Sequence, residues 1–213
     1  HRLLQTVLRD NLQNYIKEET DFFNVFNLER YQSLLTFFLD NESEFKSSNS
    51  FKAFTDTYED FKANQKKHNS RYDKRFAELD LAICSAYFYQ EDYEKYREVL
   101  EDVDRYLRTV DGLEYLKVKF LYHYSAYFRK MGNNAEAYEK ISQAMAILNG
   151  IFTSQYAQNE KFEHVRYKVF FNLANLYYHQ NKNDKDRNLK EVQEGISLIQ
   201  ETANYFERVG NNR

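Results

Sequence analysis

The chain has 213 residues, no proline, no tryptophan and five glycines, with 30 basic and 33 acidic side chains and a net charge of −3. So few helix breakers predict an all-α fold, and the near-neutral charge excludes a surface built as a whole to hold nucleic acid. One cysteine excludes an intramolecular disulfide and fits a cytoplasmic protein, while the longest apolar run, at residues 34–39, is too short to span a membrane.

The first third of the chain carries apolar stripes at helical spacing but no clear repeat. The spacing predicts helices over residues 2–18, 27–45 and about 51–66, with Asn27 as the N-cap of the second. The third of these helices has Phe51, Phe54, Tyr58 and Phe61 on one face. We interpret residues 1–70 as diverged N-terminal helices within a single repeat domain.

Three helical hairpins are predicted next, at residues 71–110, 113–149 and 160–209, with Gly112 and Gly150 between them. Each first helix has a small residue followed three positions later by an aromatic residue. These pairs are Cys84 and Tyr87, Ser125 and Phe128, and Ala174 and Tyr177. Each second helix repeats apolar residues every three or four positions: Tyr96, Leu100 and Val103; Ala137, Ile141 and Ala144; Leu189, Val192 and Ile196. Gly210 is expected to end the last helix.

The second hairpin resembles the tetratricopeptide repeat. In the second hairpin, the residues that follow the order of that repeat are Leu121, Ser125, Phe128, Gly132, Ala137 and Ala144. In the third hairpin, the segment from Asn172 to Tyr177 fits the core of the first helix of the repeat. The first hairpin departs from the pattern at Asp80, Glu91 and Tyr96. The resemblance implies a right-handed superhelix of helical hairpins, an α-solenoid, whose first helices line a concave groove that binds extended peptides.

Enzymatic and metal-binding functions have little support in the sequence. Cys84 could be a nucleophile with His123 or His164 as its base, but its place among the small residues favours a packing role. The histidines lack the spacing of metal ligands, so no metal, cofactor or catalytic residue is predicted. A basic cluster, Lys66, Lys67, His68, Arg71, Lys74 and Arg75, is interrupted by Asp73 and favours a solvated surface over a nucleic-acid site.

The face of the first helices turned away from hairpin packing is the predicted peptide site. Asn172 and Asn175 are costly in the middle of a helix, and their carboxamides can pair with a peptide backbone. Cationic side chains could hold a carboxylate, and aromatic side chains could accept apolar groups. The full predicted set is Asn172, Asn175, Lys168, Phe171, Tyr178, Lys119, Tyr122, His123, Arg129 and Phe88. The alternative is that these residues only solvate a groove or touch a neighbouring turn.

The chain as a whole resembles the C-terminal receptor domain of Gram-positive cytoplasmic peptide-pheromone regulators, the group that includes Rgg/MutR, PlcR and Rap proteins. The resemblance lies in the Tyr-, Phe-, Lys- and Asn-rich composition, the divergent hairpins such as Tyr115 to Leu148, and a long helix with Gln193 to Ile199 and Tyr205-Phe206. It implies quorum sensing, transcription regulation, a homodimer, and DNA contact only through a helix-turn-helix domain upstream of His1. The rival hypothesis is a scaffold for protein-protein interaction without such a domain.

Overall fold

The computed structural model describes residues 55–63 apart from Thr57 and Phe61, and residues 72–152, 160–182 and 188–211. Every regular element in these residues is an α-helix, as the composition predicts. The delimited helices are α1 (Lys74–Tyr89), α2 (Tyr93–Leu107), α3 (Glu114–Lys130), α4 (Asn134–Phe152), α5 (Glu160–Asn181) and α6 (Leu189–Asn211). The helices predicted over residues 2–18 and 27–45 lie outside the described residues. No helix in the described part is both long and apolar enough to cross a bilayer.

The chain divides into two compact units, residues 1–99 and residues 100–213, with the boundary inside α2. In the first unit, Phe88 near the end of α1 packs edge-on against Tyr93 and Tyr96 of α2, at ring-centroid distances of 6.3 and 6.0 Å. Asp73 caps α1 by accepting hydrogen bonds from the main-chain amides of Arg75 and Phe76. The ring contacts of Phe88 show that the chain turns between α1 and α2, as the sequence predicts.

The turns after α1 and α3 have the same hydrogen-bond pattern. The Asp92 amide donates to the Tyr87 carbonyl, and the Asn133 amide donates to the Phe128 carbonyl, at 3.0 and 2.9 Å. These 6→1 bonds, with a left-handed residue inside each turn, define the Schellman motif. That residue is Gly132 in the second hairpin, at φ +77°, and Glu91 in the first, at φ +58°. The equivalence that the sequence predicts between the first and second hairpins thus extends to the backbone.

Helices α3 to α6 form the packed body of the second unit. Helix α3 packs against α4, α5 packs against both of them, and α6 packs against α5. Two consecutive hairpins therefore lie side by side, as the repeat pattern predicts for this part of the chain.

The small residues of the first helices allow close helix contact. Cys84, Ser125 and Ala174 are all buried, and the Ser125 hydroxyl donates a 2.8 Å hydrogen bond to the Ala137 carbonyl of α4. In the third hairpin the close approach is made by Gly195 of α6, where an added Cβ would lie 3.5 Å from the Cβ of Tyr177. These contacts confirm the packing role predicted for the small residues.

The prediction that Leu189, Val192 and Ile196 pack the last helix against its neighbour is wrong. Leu189 and Ile196 of α6 are 70% and 52% exposed, and Val192 is half-buried. The buried residues of α6 are instead Gly195, Leu198, Thr202 and Tyr205. The cause is that α6 carries two adjacent apolar stripes, and Gly195, which has no side chain, permits the closer approach on one of them.

Two glycines predicted as helix boundaries lie inside helices. Gly150 belongs to the last turn of α4, which continues to Phe152, and Gly210 belongs to α6, which continues to Asn211. By contrast, Gly112 lies between α2 and α3 with φ +75° and ends the first hairpin as predicted. A glycine marks a boundary only where the backbone turns into the left-handed region, and Gly112 meets that condition.

The first unit contains a buried ionic network around Asp80, the residue that departs from the repeat pattern. Its carboxylate accepts hydrogen bonds from the Lys62 Nζ at 2.8 Å, the Tyr72 hydroxyl at 2.7 Å and the Tyr58 hydroxyl. Burial raises the pKa of the Asp80 carboxyl, whereas Lys62 and the hydrogen bonds lower it. A charged residue in the middle of an apolar helix face is therefore held by three donors from outside that helix.

Candidate functional site

Helices α3 and α5 concentrate the positive charge of the second unit. No acidic residue occurs between Tyr115 and Ala135 or between His164 and Asn183, although the whole chain has more acidic than basic residues. The acidic residues of this unit lie mainly on α2, α4 and α6. The two first helices therefore differ in charge from the second helices that pack against them.

An exposed stripe runs along α5. Lys168, Phe171, Asn175 and Tyr178 follow one another at intervals of three or four residues and so share one helical face, and Lys182 continues this spacing in the turn after α5. Phe171 is 51% exposed and Tyr178 is 63% exposed, so two large rings project into solvent between two cations. The Asn175 side-chain amide donates to the Phe171 carbonyl at 2.9 Å and is thereby fixed on the same face.

The equivalent positions of α3, 49 residues earlier, are Lys119, Tyr122, Ala126 and Arg129. Lys119, Tyr122 and Arg129 are half-buried and Ala126 is buried. The Lys119 Nζ lies 5.7 Å from the ring centroid of Tyr115, a cation–π contact. We call these four residues together with the five of the α5 stripe the basic face.

The lowered pKa values of two histidines indicate that cations of α3 and α5 lie near each other. Burial lowers the pKa of His123 on α3 well below its ordinary value, and the charges of Lys119 and of Lys168 on α5 lower it further. Partial burial lowers the pKa of His179 on α5, followed by the charges of Lys182 and of Arg129 and Lys130 on α3. Cations from α3 and α5 are therefore near enough to act on the same imidazoles, and an anion would relieve their repulsion.

Asn172 and His123 do not occupy the solvent-facing positions that the sequence predicts. Asn172 is 3% exposed, and its Nδ2 donates to the main-chain carbonyl of Tyr122 on α3 at 3.4 Å. His123 is also buried. Each lies one residue after a residue of the basic face, Phe171 or Tyr122, and the rotation of about 100° turns it toward the neighbouring helix. The sequence alternative is contact with a neighbouring turn, whereas Asn172 contacts the neighbouring helix α3.

The remaining predicted residues divide between the two units. Phe88 belongs to the first unit, where its ring packs against α2 rather than standing free on a groove. Cys84 is fully buried there and forms no disulfide. Of the basic cluster, residues 66–71 lie outside the described residues, and Arg75 pairs with Asp73. Within the described residues, no group of three or more His, Cys, Asp or Glu side chains is arranged to hold a metal ion.

Sequence reasoning misses the role of two residues at the end of α5. The sequence pattern predicts a turn over residues 181–184, and Lys182 does lie in a turn, but the pattern does not indicate that the charge of Lys182 acts on His179. It places the buried Asn181 in the same turn, yet the Asn181 amide donates to the Tyr177 carbonyl and to Glu191 on α6, while its oxygen accepts the amide of Asn188. Helix α5 ends at Asn181, so the turn begins where the sequence predicts it, and the Asn181 side chain supplies hydrogen bonds at that point.

Comparisons with known proteins identify no relative of this chain. No protein-family model, no curated protein and no solved structure matches it. The residues of the basic face and their geometry are therefore the features that indicate a function.

Proposed function

We propose that the chain is a peptide-sensing domain of a cytoplasmic transcription regulator, and that its basic face binds a short peptide carrying a carboxylate. The observation that carries the proposal is the exposed α5 stripe, in which Phe171 and Tyr178 alternate with Lys168, Asn175 and Lys182. Lysine can pair with a carboxylate, an exposed ring can cover an apolar side chain, and a carboxamide can bond to a peptide backbone.

Electrostatics supports a negatively charged ligand. The cations around His123 and His179 come from two helices, and no acidic residue intervenes along either stripe. A bound carboxylate would offset this repulsion, which gives the free and bound states different electrostatic energies. Such a difference is what a sensor needs if peptide binding is to change the packing of α5 against α3.

The second candidate function is a scaffold for protein-protein interaction, which would use the same face for a segment of a folded partner. It differs from the regulator in what precedes His1. A helix-turn-helix sequence encoded directly upstream supports the regulator, and a different upstream sequence supports the scaffold.

The proposal is tested by isothermal titration calorimetry with short apolar peptides, synthesised once with a free C-terminal carboxylate and once as the C-terminal amide. The free acid is expected to bind more tightly than the amide, and its affinity is expected to fall as salt is added. Lys168→Glu is expected to weaken binding of the acid by about tenfold or more, because it places like charge beside the carboxylate.

The matched control is Lys190→Glu, which makes the same charge change at an exposed position of α6 outside the basic face. It is expected to bind the acid like the unmodified protein. The proposal fails if no peptide binds, or if Lys168→Glu and Lys190→Glu have the same affinity. Asn175→Ala tests the carboxamide separately, since its side chain, unlike that of Asn172, is not buried between helices.

A further inference from the structure

Helix α6 carries a second apolar stripe that no described helix covers. Leu189, Val192, Ile196, Ile199, Ala203 and Phe206 follow one another at intervals of three, four, three, four and three residues. This is the spacing of the a and d positions of a coiled coil. Leu189, Ile196, Ile199 and Phe206 are each at least 40% exposed, although they are large apolar side chains. We call these six residues the α6 seam.

The α6 seam is separate from the surface that packs α6 onto α5. The inward side chains, Leu198, Thr202 and Tyr205, lie one residue before Ile199, Ala203 and Phe206, and so point about 100° away. The α5–α6 hairpin is thus complete without the seam. A stripe of six apolar residues with one period along a 23-residue helix is a continuous surface, not scattered exposed residues.

A pocket of about 310 Å³ adjoins the centre of the α6 seam. Val192, Gly195, Ile196 and Ile199 line it from α6, and Ala174, Tyr177, Tyr178, Asn181 and Lys182 line it from α5. Gly195, which packs closely against Tyr177, contributes no side chain to this lining. A branched apolar side chain from a facing helix would fit such a hole, as a knob does in coiled-coil packing.

We propose that the α6 seam pairs with the α6 seam of a second copy of this chain, in antiparallel orientation about a two-fold axis. In this register Ile196 of one copy meets Ile199 of the other, Leu189 meets Phe206, and Val192 meets Ala203. Every pair is apolar, and no pair joins two phenylalanines or two alanines. A parallel pairing would instead place Ala203 against Ala203 and Phe206 against Phe206, which leaves a gap beside a crowded layer.

Charge also favours a second copy as the occupant. The α6 seam contains no charged residue, and Gln193 and Gln200 follow it on the flank. Self-association therefore brings no like charges together along most of the interface, which is the usual penalty for pairing identical surfaces. Antiparallel pairing also aligns the two helix dipoles favourably. This inference does not depend on the proposed peptide function, since no residue of the α6 seam belongs to the basic face, although Tyr178 and Lys182 of that face line the pocket beside the seam.

The test is sedimentation equilibrium of the full chain over a range of concentrations, which is expected to show a monomer–dimer equilibrium. Ile196→Glu combined with Ile199→Glu is expected to weaken the dimer about a hundredfold or more, because it would bury unpaired carboxylates at the two-fold axis. Ser197→Glu combined with Asn204→Glu is the matched control, with the same charge added on exposed positions of α6 outside the seam. The control is expected to dimerise normally, and both variants should retain the helical circular dichroism of the unmodified protein.

The orientation is tested by pulsed electron spin resonance on Lys190→Cys labelled with a nitroxide. The antiparallel register places Lys190 across from Tyr205 of the second copy, so the two labels should be about 22 Å apart along the axis at about 1.5 Å per residue. Cys84 is fully buried and is not expected to react, which the unmodified protein checks. A chain that is monomeric throughout, a dimer equally strong in the seam and control variants, or labels at about the helix-to-helix distance of 10 Å would each overturn the proposal.

Discussion

At the scale of single residues, the informative positions are polar side chains that occur where an apolar one is expected. Asp80, Asn172 and Asn181 all interrupt apolar faces, and all three are buried with hydrogen-bond partners on other segments. Burying a polar group without a partner is costly, so each interruption by itself implies a partner elsewhere in the chain. The identity of that partner does not follow from the sequence, because Lys62 and Tyr58 are 18 and 22 residues away from Asp80.

The Asp80 network leads to a stability prediction. Asp80→Ala is expected to lower the free energy of unfolding of the first unit by about 3–5 kcal/mol, since it leaves the Lys62 ammonium buried without a counter-charge. Urea denaturation followed by circular dichroism measures the effect. Combining Asp80→Leu with Lys62→Met is expected to cost less than Asp80→Leu alone, because no buried charge then remains unpaired. Glu139→Ala, at an exposed ion pair, is the control and should not change the midpoint. A double variant less stable than Asp80→Leu would contradict this account.

His123 leads to a prediction about pH. Its pKa is lowered in the folded chain, first by burial and then by Lys119 and Lys168, whereas in the unfolded chain it has its ordinary value of 6.5. Below that pH the unfolded state binds a proton that the folded state does not, so stability falls as the solution is acidified. The loss is at most about 1.4 kcal/mol for each pH unit below 6.5.

The measurement compares urea denaturation at about pH 7.5 and about pH 5.5 for the unmodified protein and for His123→Gln. The variant is expected to lose less stability on acidification, because its side chain does not titrate. Equal losses in the two proteins would show that His123 does not contribute to the pH dependence.

At the scale of elements, the hairpin turns show what glycine contributes. Gly132 and Glu91 occupy the same position of two Schellman turns, and both have positive φ. Glycine adopts this conformation without strain, whereas another residue in it costs about 1–2 kcal/mol. The departure of Glu91 from the repeat pattern is therefore a local strain in a turn that is otherwise preserved.

The turns lead to a prediction with opposite signs at matched positions. Glu91→Gly is expected to be neutral or to stabilise the first hairpin by up to about 1 kcal/mol, and Gly132→Ala is expected to destabilise the second by about 1 kcal/mol. Gly150→Ala is expected to stabilise α4 by about 0.5–1 kcal/mol, because Gly150 is helical. An added Cβ meets no atom within 4 Å at Gly132 or at Gly150, so only the backbone conformation differs. Thermal unfolding measures all three, and the same sign for both alanine variants would contradict the argument.

In helix α6, periodicity alone does not predict which face is buried. Its two stripes, one beginning at Gly195 and the other at Leu189, each repeat at intervals of three and four residues. Periodicity finds both stripes but cannot rank them, since the larger side chains of the exposed stripe give the stronger signal. Helix packing selected the stripe with the glycine, because it lets α6 approach Tyr177 closely.

At the scale of the whole molecule, charge is distributed by element. The first helices α3 and α5 are basic along the faces described, and α2, α4 and α6 carry most of the acidic residues of the second unit. The net charge of −3 conceals this separation. A ligand approaching the second unit would meet a local potential set by these helices, and so the total charge alone gives a poor guide to the partner.

The amino-acid sequence by itself determined the helical class, the positions of the hairpin turns after α1 and α3, and the small residues at 84, 125 and 174. These features follow from local properties: helix propensity, side-chain volume at a fixed spacing, and the conformation that a turn requires. Only the tertiary structure decided which stripe of α6 is buried, that Asn172 faces α3, and that Asp80 binds Lys62. Those outcomes depend on which helices meet and how closely, and the contacts that set them join residues far apart in the chain.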